Sequence, residues 1–299
     1  MSGKQPVKTW STPVCSEKNS EIPCVLCGNS SFKPGPNCEG FSYVRCAACG
    51  LVQMNPQPIK EEVTQRYQRS FGKDYLSYEL ENEAAFLKLQ QLALEDSGFY
   101  ALEKKLFEQS ARGEAPRILD IGCATGALPG YLRDRGWQAA GVEISPSAEY
   151  ARDHRNLDVR SLPLEENKFP SESFHVILAS HLIEHLNNPR AFLCESCRIL
   201  KQDGHIFITT PNISGFQSRL FGGRWRSAIF DHLYLFSIRT LKELLKQTGF
   251  AIMGVNTWGG LAAGIAPLWI KKLADLAAKR LGIGDVMIIK AVKIHKSLY

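Results

Sequence analysis

The stretch RILDIGCATGALPGYL, residues 117–132, joins an apolar run to a turn with two glycines and then to a helical pattern. The apolar run predicts a strand that ends near Asp120, and Gly122 and Gly126 provide the turn before the helix. Asp120 stands two residues before the first glycine, where its carboxylate would repel the pyrophosphate of a dinucleotide. The stretch therefore predicts a site for a ligand that carries positive charge.

The chain after residue 116 alternates between strand-like and helical segments. Strand-like segments occupy residues 117–122, 138–145, 174–180 and 204–211. Helical patterns lie near residues 127–136, 146–155 and 189–201. This alternation predicts an α/β fold with a mostly parallel sheet and helices on both faces, and residues 284–293 predict a final strand. Ligands bind such sheets at the carboxyl ends of the strands, where Asp120, Glu143 and His181 are expected to meet.

Four of the nine cysteines form two Cys-x-x-Cys pairs, Cys24 with Cys27 and Cys46 with Cys49. Two such pairs supply the four thiolates of a tetrahedral zinc site, and their closed coordination predicts a structural ion without a catalytic role. Gly28 and Gly50 directly follow the pairs and suit turns that need a positive φ. Cys194 and Cys197 share the spacing on a predicted helix but have no second pair, so we expect them to be core thiols.

Composition excludes some classes of protein. The balance of 44% hydrophobic and 22% charged residues is that of a globular protein. The net charge is +6, but Lys and Arg are scattered, so nucleic acid is not an expected partner. The amino terminus lacks the apolar core of a signal peptide, and the apolar stretch 258–270 is too short to span a bilayer. We therefore expect a cytoplasmic protein with reduced or metal-bound thiols.

Four segments in order resemble the motifs of class I S-adenosylmethionine-dependent methyltransferases. They are DIGCATG (120–126), GVEIS (141–145), FPSESFHVILASHLIEHLNNP (169–189) and LKQDGHIFITTPN (200–212). The resemblance covers about residues 60–293, with Ala124 in place of the middle glycine of the first motif. It implies a Rossmann-like seven-stranded sheet with S-adenosylmethionine as the cofactor. It also implies these cofactor contacts: Asp120, Gly122 and Gly126 at the methionine end, Glu143 at the ribose, Leu164 and Glu165 near the adenine, and His181 at a strand end.

The resulting organisation has four parts. We predict a flexible tail over residues 1–20, a zinc ribbon over 21–56, a helical connector over 57–113 and an S-adenosylmethionine-binding domain over 114–299. A helix is predicted over 261–281, and its apolar side is expected to pack on the core. The alternative, from its basic face, is contact with a membrane surface or a lipid-linked substrate.

Residues 211–237 are dense in aromatic residues and arginine, which suits a site for a ring or an anionic group, or a cover that packs on the sheet. The ribbon together with FDHLYLFS (230–237) resembles zinc-containing sugar C-methyltransferases, which act on nucleotide-linked deoxysugars. Those enzymes continue further after the methyltransferase core. The resemblance places Asp231 and His232 at the active site, and we predict that His232 is the general base.

The sequence thus predicts a methyltransferase of a small molecule, with a sugar or glycan intermediate as the first choice of acceptor. Alternatives are a lipid or quinone-like ring, RNA, or a non-catalytic zinc-ribbon binding protein. Residues 181–185 also spell the zinc-hydrolase motif H-x-x-E-H, which on a helix would put His181 and His185 on one face with Glu184 as base. The sequence leaves open the oligomeric state and the choice between O-, C- and N-methylation.

Overall fold

A seven-stranded sheet with helices on both faces lies at the centre of the structure. This computed structural model describes residues 19–70, 72–110, 114–259, 275 and 278–294. Its strands are β1 (Asn19–Ser20), β2 (Phe32–Asn37), β3 (Ser42–Cys46), β4 (Val52–Met54), β5 (Gln57–Pro58), β6 (Arg117–Ile121), β7 (Gln138–Val142), β8 (Asp158–Arg160), β9 (Phe174–Ser180), β10 (Leu200–Pro211), β11 (Tyr234–Leu235), β12 (Phe250–Trp258) and β13 (Val286–Lys293). Its helices are α1 (Lys60–Gln65), α2 (Gly72–Asp96), α3 (Phe99–Gln109), α4 (Ala127–Asp134), α5 (Ser147–Arg155), α6 (Pro189–Ile199), α7 (Phe216–Phe221) and α8 (Ile238–Gln247).

The order of the large sheet is β12-β13-β10-β9-β6-β7-β8, and β13 alone runs antiparallel to its neighbours. The predicted α/β fold with a mostly parallel sheet is confirmed. From β6 the chain builds outward through β7 and β8, then returns to the other side of β6 with β9 and β10. The strand order therefore reverses between β6 and β9, and this is where open α/β sheets bind their ligands.

Alternating side chains on the strands explain why both faces of the sheet are covered. Ile118 and Val176 face a cluster with apolar residues of α2, α3 and α4. Leu119 and Ile177 face the opposite cluster, which contains residues of α6 and α8. Successive side chains of a strand point to opposite faces, so a strand that is apolar throughout requires a layer on each side.

The ribbon is not a separate appendage, because its sheet takes a strand from the other half of the chain. Strands β2, β3 and β4 form an antiparallel sheet, and β11 adds to its edge by pairing Tyr234 with Gln53 and Leu235 with Val52. The backbone N–H of Met54 also donates to the carbonyl of Leu233 at 2.8 Å. The segment that contains Asp231 and His232 is consequently attached to the ribbon.

Predictions about the helix over 261–281 and about Cys194 and Cys197 have mixed outcomes. The predicted helix over 261–281 lies outside the described residues except for residues 275 and 278–281, which are helical. Within the described part of the chain, no helix has the length and apolarity needed to cross a membrane. Cys194 and Cys197 lie on α6 as predicted, but the expectation of two core thiols is wrong for Cys194, which is exposed. The four-part domain division stays a prediction.

Candidate active site

Asp120 lies at the carboxyl end of β6 and is a buried acid at this edge of the sheet. It is 2% exposed, and its Oδ1 has no hydrogen-bond partner in the described structure. Burial, helped by the negative charge of Glu143, raises the pKa of Asp120 to about 8. A buried carboxylate without a partner is costly, so its environment is suited to a cationic ligand.

The turn after β6 takes the shape that its glycines predicted. Gly122 and Gly126 have φ of +76° and +80°, and Ala124 between them has φ of +49°. A Cβ on Gly126 would lie 2.7 Å from a methyl of Leu157 and 2.9 Å from Cβ of Ala151, so this position requires glycine. The positive φ at Gly122 and Gly126 explains why glycine suits both positions of the turn.

Glu143 follows β7 and is held in place by backbone amides. Its Oε2 accepts from Ala124 N at 3.0 Å, and its Oε1 accepts from Ser145 N at 2.8 Å. These two bonds tie the carboxylate to the turn that carries Ala124. Leu164 and Glu165 lie on a one-turn 3₁₀ helix after β8, where Leu164 is buried and Glu165 is exposed. Their predicted role near an adenine stays a prediction.

Helix α2 adds two carboxylates that sequence analysis missed. Ser147 donates its hydroxyl to Glu79 Oε2 at 2.5 Å. Glu83, one turn further along α2, accepts from the hydroxyl of Thr125 at 2.7 Å and pairs with Arg155 at 2.5 Å. Acids four residues apart share one face of a helix, and this spacing was the only signal in the sequence.

Glu79 belongs with Asp120 and Glu143, and we name these three residues the acidic pocket. Glu79 is 7% exposed, and its burial raises its pKa to about 7, with Glu143 and Glu83 adding negative charge that acts the same way. Near neutral pH Asp120 is therefore mainly protonated and Glu79 is partly protonated. This arrangement of buried acids favours a ligand with more than one positive charge.

A second group, which we name the histidine pocket, consists of Glu184, His185 and His232. Each offers a ligand atom, and these atoms lie within 4.8 Å of one another. Glu184 is 1% exposed and accepts from the hydroxyl of Thr210 at 2.9 Å. Burial alone would raise its pKa, but the hydrogen bond with His181 and the nearby histidines lower it to about 2.

The hydrogen bonds of the two histidines define their tautomers. His232 Nδ1 lies 2.7 Å from the carbonyl oxygen of Ser227, and His185 Nδ1 lies 2.9 Å from that of Asp231. A carbonyl oxygen only accepts, so both rings donate from Nδ1 and keep an acceptor lone pair on Nε2 when neutral. Burial, followed by the charge of His185, lowers the pKa of His232 to about 4, so its ring is neutral at pH 7.

The carboxylate of Asp231 is directed to the connector, and its predicted catalytic role stays a prediction. Its Oδ1 pairs with Arg66 at 2.5 Å, and the guanidinium of Arg66 lies over the ring of Phe230. The His232 ring is oriented by the Ser227 carbonyl instead. Asp231 lies in a turn, and its side chain points to the Arg66 end of the connector.

The H-x-x-E-H hypothesis is wrong in its geometry. Residues 183–185 form one 3₁₀ turn, and His181 has φ of +52°. His181 Nδ1 contacts Glu184 Oε1 at 3.2 Å, whereas His185 contacts Tyr67 at 2.9 Å. The two histidines therefore do not share a helix face. A role for His181 in holding a cofactor stays a prediction.

The aromatic segment 211–237 contributes both to packing and to the site. Trp225 and Phe236 are buried, and the guanidinium of Arg226 is tied to Asp285 at 2.7 Å. His232 is buried beside His185, with ring centroids 4.7 Å apart. The segment 211–237 therefore includes both a cover that packs on the sheet and His232 of the histidine pocket.

The two cysteine pairs converge as their spacing predicts. The sulfur atoms of Cys24 and Cys49 lie 3.4 Å apart and those of Cys27 and Cys46 lie 3.5 Å apart, with all four within 4.8 Å. Gly28 and Gly50 have positive φ, as predicted. A tetrahedral zinc ion with Zn–S bonds of about 2.3 Å separates its sulfurs by about 3.8 Å, so these residues fit zinc.

The ribbon also supports the histidine pocket directly. The hydroxyl of Tyr43 donates to the carbonyl of His232 at 2.7 Å and to that of Ile229 at 2.9 Å. Tyr43 is 3% exposed, so these bonds are shielded from water. The position of His232 consequently depends on the ribbon.

Comparison with known proteins agrees with this geometry. The family described as "Methyltransferase domain" matches residues 87–254, which is more than half of the chain. Ubiquinone biosynthesis O-methyltransferase of Bradyrhizobium sp. (strain ORS 278) is 33% identical over 116 residues, covering 36% of this chain and 46% of that protein. The mitochondrial enzyme of the same name from Homo sapiens is 32% identical over 156 residues, covering 46% of this chain and 42% of that protein. The matched region thus spans less than half the length of each of these two relatives.

Solved structures give similar matches. An S-adenosylmethionine-dependent methyltransferase from Archaeoglobus fulgidus has a TM-score of 0.46 and 20% identity, covering 65% of this chain and 94% of that one. Phosphoethanolamine N-methyltransferase 2 of Haemonchus contortus, in complex with S-adenosyl-L-methionine, has a TM-score of 0.48 and 16% identity, covering 66% and 53%.

Proposed function

This chain belongs to the methyltransferase-domain family, and from that premise we propose that it transfers a methyl group from S-adenosylmethionine to a hydroxyl group of a small molecule with a planar ring. As a class I methyltransferase it is an enzyme, and S-adenosylmethionine is its cofactor. The observation that carries the proposal is the buried Asp120 at the carboxyl edge of the sheet, whose Oδ1 has no hydrogen-bond partner among the described residues.

The acidic pocket suits the charge of this cofactor. S-adenosylmethionine carries an ammonium and a sulfonium group and has no phosphate. Asp120 and the Gly122–Gly126 turn are proposed to hold its methionine end, and Glu143 is proposed to accept hydrogen bonds from its ribose hydroxyls. The negative charge of Glu143 helps to raise the pKa of Glu79. A bound cation would therefore stabilise the charged forms of all three acids.

The histidine pocket supports a hydroxyl acceptor. His232 Nε2 is free to accept a proton, because Nδ1 is bonded to Ser227. Tyr67 makes an edge-on contact with His185, so an aromatic side chain borders the pocket. An aromatic wall with one convergent base suits a planar ring that presents a hydroxyl group.

The proposed reaction requires little activation of the methyl donor. The acceptor oxygen attacks the methyl carbon, the carbon–sulfur bond breaks, and its electron pair stays on a neutral thioether. The hydroxyl proton moves to His232 Nε2 as the oxygen–carbon bond forms. His232 and the two pockets mainly bring the reacting groups together and remove one proton.

The names of the relatives favour the ring alternative over the sugar alternative. Two ubiquinone biosynthesis O-methyltransferases match this chain, and their name describes an oxygen acceptor in the synthesis of a quinone. The sugar prediction was based on the ribbon and on Asp231–His232, and Asp231 is engaged by Arg66. A ring hydroxyl is therefore the acceptor that we propose.

A divalent cation is a second way in which the histidine pocket could lower the pKa of an acceptor hydroxyl. Glu184, His185 and His232 would be its ligands, and the cation would act as a Lewis acid. In the ribbon we propose a structural zinc ion at the four cysteines, which would stabilise the sheet that supports His232.

The test uses purified full-length protein with methyl-labelled S-adenosylmethionine. Acceptors are a dihydroxybenzoate with a polyprenyl tail, its analogue with both hydroxyls replaced by hydrogen, a nucleotide-linked deoxysugar and an RNA oligonucleotide. We expect label on an oxygen of the hydroxylated ring alone. Label on the sugar or the RNA, with the ring compound left unmodified, would overturn the proposed acceptor, whereas calorimetry showing no affinity for S-adenosylmethionine would overturn the cofactor assignment.

Repeating the assay after dialysis against a chelator separates base from metal. Activity that persists with the ribbon zinc retained assigns proton removal to His232. Loss of activity that Mg²⁺ or Mn²⁺ restores would assign it to a cation in the histidine pocket.

A further inference from the structure

A second cavity lies at the edge of the large sheet opposite to the acidic pocket. Its volume is about 970 Å³, and it is lined by Arg117, Gln138 and His175 at the starts of β6, β7 and β9. Helix α3 and the first residues of β10 complete its walls. His175 and His181 are six residues apart along β9, which is about 20 Å, so the cavity is separate from the proposed methyl-transfer site.

The cavity is mainly cationic. Lys105, Arg117 and Lys201 line it together with two histidines, and the acids that line it are Glu114 and Asp203. Among the described residues, none of these three cations has a carboxylate within ion-pair distance. Three unpaired cations around one cavity produce a positive potential that attracts anions.

Two hydrogen-bond donors also face each other without an acceptor. The N–H of Arg117 donates to His175 Nδ1 at 2.9 Å, so the neutral imidazole carries its proton on Nε2. Lys201 Nζ lies 3.2 Å from that same Nε2. An ammonium group has donors only, so this contact needs an acceptor oxygen to satisfy both sides.

Neighbouring charges add to the repulsion between the two donors, Lys201 Nζ and His175 Nε2. Burial, followed by the charges of Lys201 and Arg117, lowers the pKa of His175. His205 lines the same cavity, and its Nδ1 is a buried atom without a partner in the described structure. Burial, with the charges of Lys290 and Lys105, lowers the pKa of His205 to about 4. A bound anion would relieve each of these repulsions.

We propose that this cavity binds a small phosphate monoester, with a phosphate oxygen that accepts from both Lys201 Nζ and His175 Nε2. A phosphate monoester carries between one and two negative charges at pH 7 and has three acceptor oxygens. Lys201, Arg117 and Lys105 match that charge, and the volume accommodates an organic group beyond the phosphate. The site would regulate or anchor the enzyme, because the sheet separates it from the acidic pocket.

The experiment measures binding of inorganic phosphate and of glycerol 2-phosphate to the full-length protein by calorimetry at constant ionic strength. Saturating S-adenosylhomocysteine is present to occupy the cofactor site. Lys201→Gln is compared with Lys246→Gln, which removes the same charge from an exposed lysine at the end of α8. We expect saturable binding that weakens about tenfold or more in Lys201→Gln and stays within about twofold of wild type in Lys246→Gln.

Three results would overturn the proposal. They are absence of saturable binding in the wild type, equal weakening in the two variants, and binding that an equal concentration of chloride removes. A 20-nucleotide RNA that binds with dependence on Lys201, while both phosphate probes fail, would assign the cavity to a polymer instead. If Lys201→Gln has a lower thermal stability than wild type, Lys105→Gln provides the second variant, and unchanged affinity in it would likewise count against the proposal.

Discussion

The acidic pocket and the histidine pocket share one edge of the sheet but treat buried negative charge in opposite ways. In the acidic pocket, burial raises the pKa of Asp120 to about 8. In the histidine pocket, Glu184 is equally buried, yet hydrogen bonds and neighbouring imidazoles lower its pKa to about 2. Among the residues that the structure describes, no cationic side chain forms an ion pair with the three acids of the first pocket, whereas the second contains its own compensation. The difference indicates that the first is shaped for a cationic ligand and that the second keeps its charge fixed around a neutral base.

The two pockets also differ in what supports them. The acidic pocket is built on β6 and β7 and on the helix α2, whereas the histidine pocket depends on the ribbon through Tyr43 and β11. Loss of the ribbon fold should therefore disturb the histidine pocket and leave the acidic pocket intact. This difference gives the first test of the comparison.

The largest effect is expected from Cys27→Ser combined with Cys49→Ser. Structural zinc contributes about 10–16 kcal/mol of binding energy in small zinc domains, so its loss should unfold the ribbon. We expect about one zinc per wild-type chain and none in the variant, with turnover lowered more than tenfold and affinity for S-adenosylmethionine within about threefold. Metal analysis, turnover and calorimetry measure the three quantities.

The matched control is Cys194→Ser combined with Cys197→Ser, since these two cysteines have the same spacing on α6. This control should keep its zinc. Full retention of zinc by the Cys27 and Cys49 variant would remove the metal assignment, and an equal loss of cofactor affinity and turnover would show that the two pockets are not independent.

His232→Ala should impair the histidine pocket and leave the acidic pocket unchanged. Loss of the proposed base should lower turnover about a hundredfold or more, while cofactor affinity stays within about twofold. Because the pKa of His232 is lowered to about 4, wild-type turnover at saturating cofactor should stay level down to about pH 5. The exposed His154→Ala serves as control, and unchanged turnover in His232→Ala would make His232 a packing residue.

Asp120→Asn should have opposite effects on binding and on stability. Affinity for S-adenosylmethionine should fall by about 1.5–3 kcal/mol, the usual loss for a charge-assisted hydrogen bond. The free energy of unfolding of the cofactor-free protein at pH 8 should rise, because a buried charge without a partner has been removed. Calorimetry and chemical denaturation measure the two quantities, and a loss of both would make Asp120 an ordinary structural residue.

The pH dependence of the free energy of unfolding should differ in sign between the two pockets. Asp120 keeps its proton to about pH 8 when folded but loses it near 3.8 when unfolded, so it makes the cofactor-free protein less stable as pH rises from about 4 to 8. Glu184 has the lowered pKa, so its contribution is present above pH 4.5 and is lost as pH falls toward 2.

Denaturation curves of Asp120→Asn and Glu184→Gln across pH 3–9 resolve these contributions. Asp120→Asn should reduce the fall in the free energy of unfolding as pH rises from about 4 to 8. Glu184→Gln should reduce the fall in the free energy of unfolding as pH decreases below 4.5. Saturating S-adenosylmethionine should abolish the Asp120 contribution in the wild type. Identical slopes in both variants would contradict the opposite treatment of charge in the two pockets.

The sequence by itself determined the parts that are local in the chain. The strand, the turn and the helix of residues 117–132 are coded by consecutive residues, and Gly126 has the positive φ that this turn needs. Asp120, Glu143 and His181 fall at strand ends because a parallel sheet brings successive carboxyl ends to one edge. The cysteine cluster follows in the same way from the spacing of two pairs.

Only the tertiary structure decided the rest, because it depends on contacts between distant segments. Glu79 reaches Ser147 across 68 residues, and Tyr43 reaches His232 across 189. The four-residue spacing of Glu79 and Glu83 is a weak local signal, since a helix with polar residues on several sides offers many equal candidates. Likewise, Asp231 beside His232 looks like a catalytic pair in the sequence, but the partner of its carboxylate, Arg66, comes from the connector. Local patterns specify backbone conformation, whereas the charge state and the partner of a buried side chain are set by which distant elements pack against it.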